Sequence, residues 1–227
     1  MKKEIIYIRD SLLYLHKRIR MKTSRTTANT AVQTTLTYYN THAEEYARLT
    51  SAADMTDNYR RFLKYVPQGG TIADIGCGGG RDMKYFKDHG YRALGVDASP
   101  QLCTIAHEYS GCPVTCSDFF SWTPDIRFDA FWANASLLHL PYDGILEFFR
   151  TKTQYLENKG ILYFAMKKDI TEGADDRGRY FTPFTEPLLA DILRTAAGFT
   201  ILERWANPDR LGRKDHTWET IILGRCP

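Results

Sequence analysis

Apolar positions change their period along this chain. Across residues 34–49, Leu36, Tyr39, Ala43, Tyr46 and Ala47 recur near helical spacing and predict a helix, and residues 57–66 continue as a second one. Pro67-Gln68-Gly69-Gly70 reads as a turn. From there short apolar runs alternate with amphipathic ones. Strands are expected at 71–75, 92–97, 113–117, 128–133 and 160–166. Helices are expected at 81–89, closed by Gly90, at 100–109 behind a Ser99 cap with Pro100 in first position, at 143–156, and at 185–197, ending at Gly198. Residues 167–183 are polar and irregular, and two last strands, 200–205 and 217–223, follow with no helix between them. Strands alternating with helices build parallel β-α-β units. The expected fold is therefore α/β: a Rossmann-like, doubly wound, mostly parallel seven-stranded sheet with an antiparallel edge strand.

Composition adds boundaries rather than chemistry. The 227 residues suffice for one core without disulfides. Net charge is only +3, yet residues 1–40 hold eight basic side chains against Glu4 and Asp10. Residues 1–33 thus read as a basic N-terminal extension, solvated or disordered, with Met21 a second candidate start; residues 34–227 form the functional domain. Five cysteines, odd in number and without a Cys-x-x-Cys pair, fit reduced thiols and a cytoplasmic protein, and no metal site is expected. No apolar run reaches the roughly 20 residues that span a bilayer.

The chemistry concentrates at Asp74-Ile75-Gly76-Cys77-Gly78-Gly79-Gly80-Arg81-Asp82, which follows a strand and opens a helix. Glycines there admit positive φ and let the backbone approach a ligand, and the helix N-terminus behind them offers unpaired N–H groups. Asp97, at the tip of the next strand, is placed to accept both hydroxyls of a ribose. A dinucleotide loop needs its third glycine where Arg81 stands, which argues against a nicotinamide oxidoreductase.

This string, with Gly95-Val96-Asp97-Ala98-Ser99-Pro100 after it, resembles the first two motifs of class I S-adenosylmethionine (SAM)-dependent methyltransferases. The resemblance runs from about Tyr38 to the C-terminus and is strongest over residues 72–140. It implies that Asp74, Gly76, Cys77, Gly78 and Gly80 surround the methionine half of SAM, that Asp97 holds the ribose and that Ala98 flanks the adenine. It also implies that Asp118 and Phe119 form the adenine site and that Asn134 lies near the amino group. The helix carrying Tyr38, Tyr39 and Tyr46 would fold over the pocket as a lid, with Tyr38 toward the cofactor and Tyr46 toward the substrate. SAM transfer is an in-line displacement, so a base is required only where the acceptor holds a proton. His139, just past the fourth strand, is the base candidate and a candidate substrate contact. Arg177 and Arg179 are candidate anion-binding groups for the acceptor.

The expected activity is methyl transfer to a small molecule, by a monomer or homodimer. Nucleic acid is less favoured: no Asn-Pro-Pro-aromatic segment follows the fourth strand, and no Pro-Cys pair is present. The alternatives are an RNA methyltransferase using the basic arm and a non-catalytic SAM-binding or interaction protein.

Overall fold

The computed structural model describes residues 32–208 and 217–226; the basic extension lies almost wholly outside them. Seven strands form one sheet in the order β3-β2-β1-β4-β5-β9-β8. They are β1 (Thr71–Ile75), β2 (Arg92–Asp97), β3 (Val114–Cys116), β4 (Phe128–Asn134), β5 (Leu156–Lys167), β8 (Phe199–Pro208) and β9 (Thr217–Arg225). A separate two-stranded hairpin, β6 (Gly173–Ala174) and β7 (Tyr180–Phe181), occupies the stretch expected to be irregular. Strand β9 pairs antiparallel with both β5 and β8. The antiparallel strand therefore lies one place in from the edge, not at the edge as expected, because β9 turns back and wedges between β8 and β5.

Central strands are apolar on both faces because helices cover both. In β5, Leu162, Phe164 and Met166 face one core, with Phe148, Phe149 and Leu188. Ile161, Tyr163 and Ala165 face the other, with Phe62, Met83, Phe86 and Trp132. The covering helices are α3 (Thr56–Leu63), α4 (Arg81–Asp88) and α5 (Pro100–Ser110) on one side, and α6 (Tyr142–Lys152) and α7 (Glu186–Thr195) on the other. Ser99 caps α5 through a bond from the Leu102 N–H at 3.2 Å, and Gly111, at φ +61°, ends it.

Several boundaries differ from expectation. The single helix expected over 34–49 is broken at His42 into α1 (residues 32–41, as far as described) and α2 (Ala43–Ser51). Helix α6 stops at Lys152, and β5 begins at Leu156 rather than 160, with a register shift opposite β4.

Candidate active site

A cavity of about 190 Å³ opens at the carboxyl ends of β1, β4 and β5, the place where ligands bind in open α/β sheets. Its floor is the turn from β1 to α4. Gly76, Gly78 and Gly80 take φ of +74°, +54° and +82°, the left-handed region that favours glycine. The wall includes Gly76, Cys77, Gly78 and Gly79. Gly80 acts instead in packing. A Cβ there would lie 2.8 Å from the Ala106 carbonyl oxygen, so its absence lets α4 sit closely on α5.

Asp97 is bound to this turn. Its Oδ2 accepts from the Gly78 N–H at 3.0 Å and its Oδ1 from the Ser99 N–H at 2.9 Å. Burial pushes the carboxyl above its ordinary range, and the backbone N–H groups of Ser99, Gly78 and Ala98, which favour the anion, oppose that. Asp74 is 2% exposed, and its Oδ2 has no hydrogen-bond partner; neither has Ser136 Oγ, across from Gly76. Burial, reinforced by the nearby Asp82 charge, holds the Asp74 carboxyl well above the usual range. Orphaned buried polar groups are costly and rare, and two beside a glycine turn fit a polar ligand there.

Beneath the turn, Asp82 gathers three donors. Tyr59 Oη and Arg81 Nε meet Oδ1, and Trp132 Nε1 donates to Oδ2 at 2.7 Å. Arg81 also reaches the Thr50 carbonyl at 3.0 Å, which ties the end of α2 to the start of α4. At the end of β4, Asn134 lines the cavity, and Ala135 takes φ +59°, an uncommon conformation for a residue with a Cβ.

Helices α1 and α2 form the roof. Tyr46 lies over the turn, 3.2 Å from where a Cβ on Gly78 would sit, and burial raises its hydroxyl to about 12. Asn40 accepts from Ser99 Oγ at 2.6 Å, beside the Asp97 carboxylate. Tyr38 stacks on His42 and accepts from Arg177 at 3.2 Å. Arg179 lies 4.9 Å from the Tyr38 ring and is paired with Asp175 through Nε at 3.0 Å and Nη2 at 2.6 Å. His139, in a short 3₁₀ turn after β4, bonds Tyr39 on the roof and the Tyr180 carbonyl on β7.

The structure thus gathers Tyr38, Tyr46, Gly76, Cys77, Gly78, Asn134, His139, Arg177 and Arg179 around one space. Asp74, Gly80, Asp97, Ala98, Asp118 and Phe119 lie outside its lining. Asp118 is exposed and accepts from the Phe120 and Ser121 N–H groups, while Phe119 packs edge-on to Phe148 and approaches Gly76. Sequence reasoning misses Asn58, Lys167, Asn207, Trp218 and Thr220, which also line the cavity. The last three come from β8 and β9, and no motif marks them.

Residues 72–160 match the family described as Methyltransferase domain. Over 152 residues the chain is 28% identical to the 2-methyl-6-phytyl-1,4-hydroquinone methyltransferase of Synechocystis sp., covering 64% of this chain and 43% of the relative. Over 104 residues it is 31% identical to the trans-aconitate 2-methyltransferase of Escherichia coli, covering 44% and 40%. The chain spans less than half the length of these curated relatives. Among solved structures, the fold resembles the 1,6-didemethyltoxoflavin-N1-methyltransferase of Burkholderia thailandensis, bound to 1,6-didemethyltoxoflavin and S-adenosylhomocysteine. That similarity has a TM-score of 0.73 and 19% identity, over 88% of this chain and 91% of the other.

Proposed function

We propose that this chain, a member of the class I SAM-dependent methyltransferases by its fold and its residues 72–160, transfers a methyl group from SAM to a small-molecule acceptor. One observation carries the reading: a left-handed glycine turn at the carboxyl end of β1, bound through Gly78 to the Asp97 carboxylate, with the unpartnered Asp74 oxygen beneath it. Bound SAM supplies a methyl already activated on a sulfonium, so the protein has mainly to align and to exclude water.

Asp97 would accept the ribose hydroxyls on lone pairs that its backbone donors leave open. Asp74 and Asn134 would receive the amino group. Asp118 and Phe119 would border the adenine, past the end of the cavity. The acceptor would sit between the glycine turn and the wall of Tyr38, Tyr39, His139, Arg177 and Arg179. The five unpaired thiols support a cytoplasmic working place; among the described residues, no helix is long and apolar enough to cross a membrane.

Calorimetric titration with SAM and S-adenosylhomocysteine tests the reading. Both should bind, and Asp97→Ala should weaken them by about 100-fold or more, since it removes charge-assisted bonds worth ~1.5–3 kcal/mol each. Failure of the unaltered chain to bind either compound would refute the proposal.

A further inference from the structure

We propose that Tyr39 takes the acceptor's proton while passing its own to His139, and that the acceptor is therefore a hydroxyl or N–H compound rather than a carboxylate. This deepens the methyltransferase reading and rests on it.

The two nitrogens of one ring fix the direction of transfer. His139 Nδ1 lies 2.7 Å from the Tyr180 carbonyl oxygen. A carbonyl only accepts, so Nδ1 carries the hydrogen. Nε2 is then the bare nitrogen, and it accepts from the Tyr39 hydroxyl at 2.8 Å. Both ring nitrogens are engaged, and no acceptor proton reaches the imidazole directly. Its route is the Tyr39 oxygen, which donates its hydrogen to Nε2, accepts from the Arg179 guanidinium on one lone pair and keeps the other for a donor in the cavity that both residues line.

The step balances. The acceptor atom bonds the methyl carbon as the sulfur–carbon bond breaks and sulfur keeps the electron pair. The acceptor's proton moves to Tyr39 Oη, the Tyr39 proton moves to His139 Nε2, and the imidazolium keeps its Nδ1–H bond to Tyr180. Positive charge lost from the sulfonium reappears on the ring, so the net charge of the cavity is constant. A carboxylate acceptor is already ionised and has no use for the pair.

The surroundings keep both partners neutral at rest. Burial pushes His139 down to about 4, and the cations Arg179 and Lys167 act the same way against Asp175. Burial and Tyr46 hold the Tyr39 hydroxyl well above its ordinary value, as does Asp97, while Arg179 opposes them.

Two measurements test the relay. In ¹⁵N-histidine-labelled full chain, long-range ¹⁵N–¹H spectra should show His139 protonated at Nδ1 and bare at Nε2, and Tyr39→Phe should move the Nε2 signal. An Nε2–H tautomer would overturn the proposal. Tritiated SAM is then offered with hydroquinone, 1-naphthol and a fused N–H heterocycle, and separately with benzoate and cinnamate. Transfer should go to the first set, and Tyr39→Phe should lower it by about 100-fold at pH 7. S-adenosylhomocysteine affinity should stay within about twofold, and the loss should shrink as pH passes the probe's own pKa. His139→Gln repeats the test should the first variant fail to fold. Transfer only to carboxylates, wild-type rates in folded Tyr39→Phe, or SAM binding with transfer to neither set would each overturn the relay while leaving the SAM site standing. Absence of SAM binding would instead refute the reading on which the relay rests.

Discussion

The floor and the roof of the cavity are made of different material. The floor is backbone: glycines at positive φ, the Gly78 N–H on Asp97, and a helix N-terminus, all within residues 74–99. The roof and far wall are side chains brought from α1, α2, β7 and β9, joined by bonds such as Tyr39 to His139 across a sequence separation of 100. A floor made of backbone suits a ligand common to many proteins. A wall made of side chains can change with the acceptor while the floor stays fixed.

Substitutions can break or sharpen that contrast. The largest effect is expected at Asp82, under the floor. Asp82→Ala leaves the partly buried Arg81 without its carboxylate and Tyr59 and Trp132 without their acceptor, at a cost of about 3–4 kcal/mol by urea denaturation. A loss under about 1 kcal/mol would show the floor to be less tightly built than its bonds imply. Next comes Gly80→Ala, which meets both a left-handed φ of +82° and Ala106 backbone within 2.9 Å, and should cost about 2–4 kcal/mol. Gly69→Ala is its control: φ is +75° but the space is open, so strain alone remains, at about 1 kcal/mol.

A further effect, comparable to that at Gly80, lies at the far wall and depends on pH. An unfolded histidine titrates near 6.5, whereas burial brings His139 down to about 4. The unfolded chain binds the extra proton first, so this group's contribution is intact above about 6.5 and lost as pH falls through about 4. His139→Gln should flatten that part of the stability profile by about 2–3 kcal/mol. An unchanged profile would mean that the ring is not desolvated.

The same contrast decides what is legible in the sequence. Glycines, a capping serine and an acid at a strand tip lie close together in the chain and report their geometry locally. The break at His42 is hidden, because the apolar spacing continues smoothly from Tyr39 through Ala43 to Tyr46 on one face. The early start of β5 is hidden by Glu157-Asn158-Lys159, whose exposed side chains read as a loop although their backbone is extended. Asn207, Trp218 and Thr220 reach the cavity because β8 runs with the parallel strands and β9 runs back against them, a consequence of sheet order that no local pattern carries. Position alone singles out His139 in the sequence. Its partnership with Tyr39 requires the fold.

Ala47 and Gly79 meet where the roof helix touches the floor: a methyl added to Gly79 would sit 2.6 Å from the Ala47 Cβ. Neither position can enlarge unless the other shrinks or the helix lifts. The pair therefore couples evolutionary drift at two distant sites, and the tightness with which the chamber shuts is set by the volume of a single methyl group.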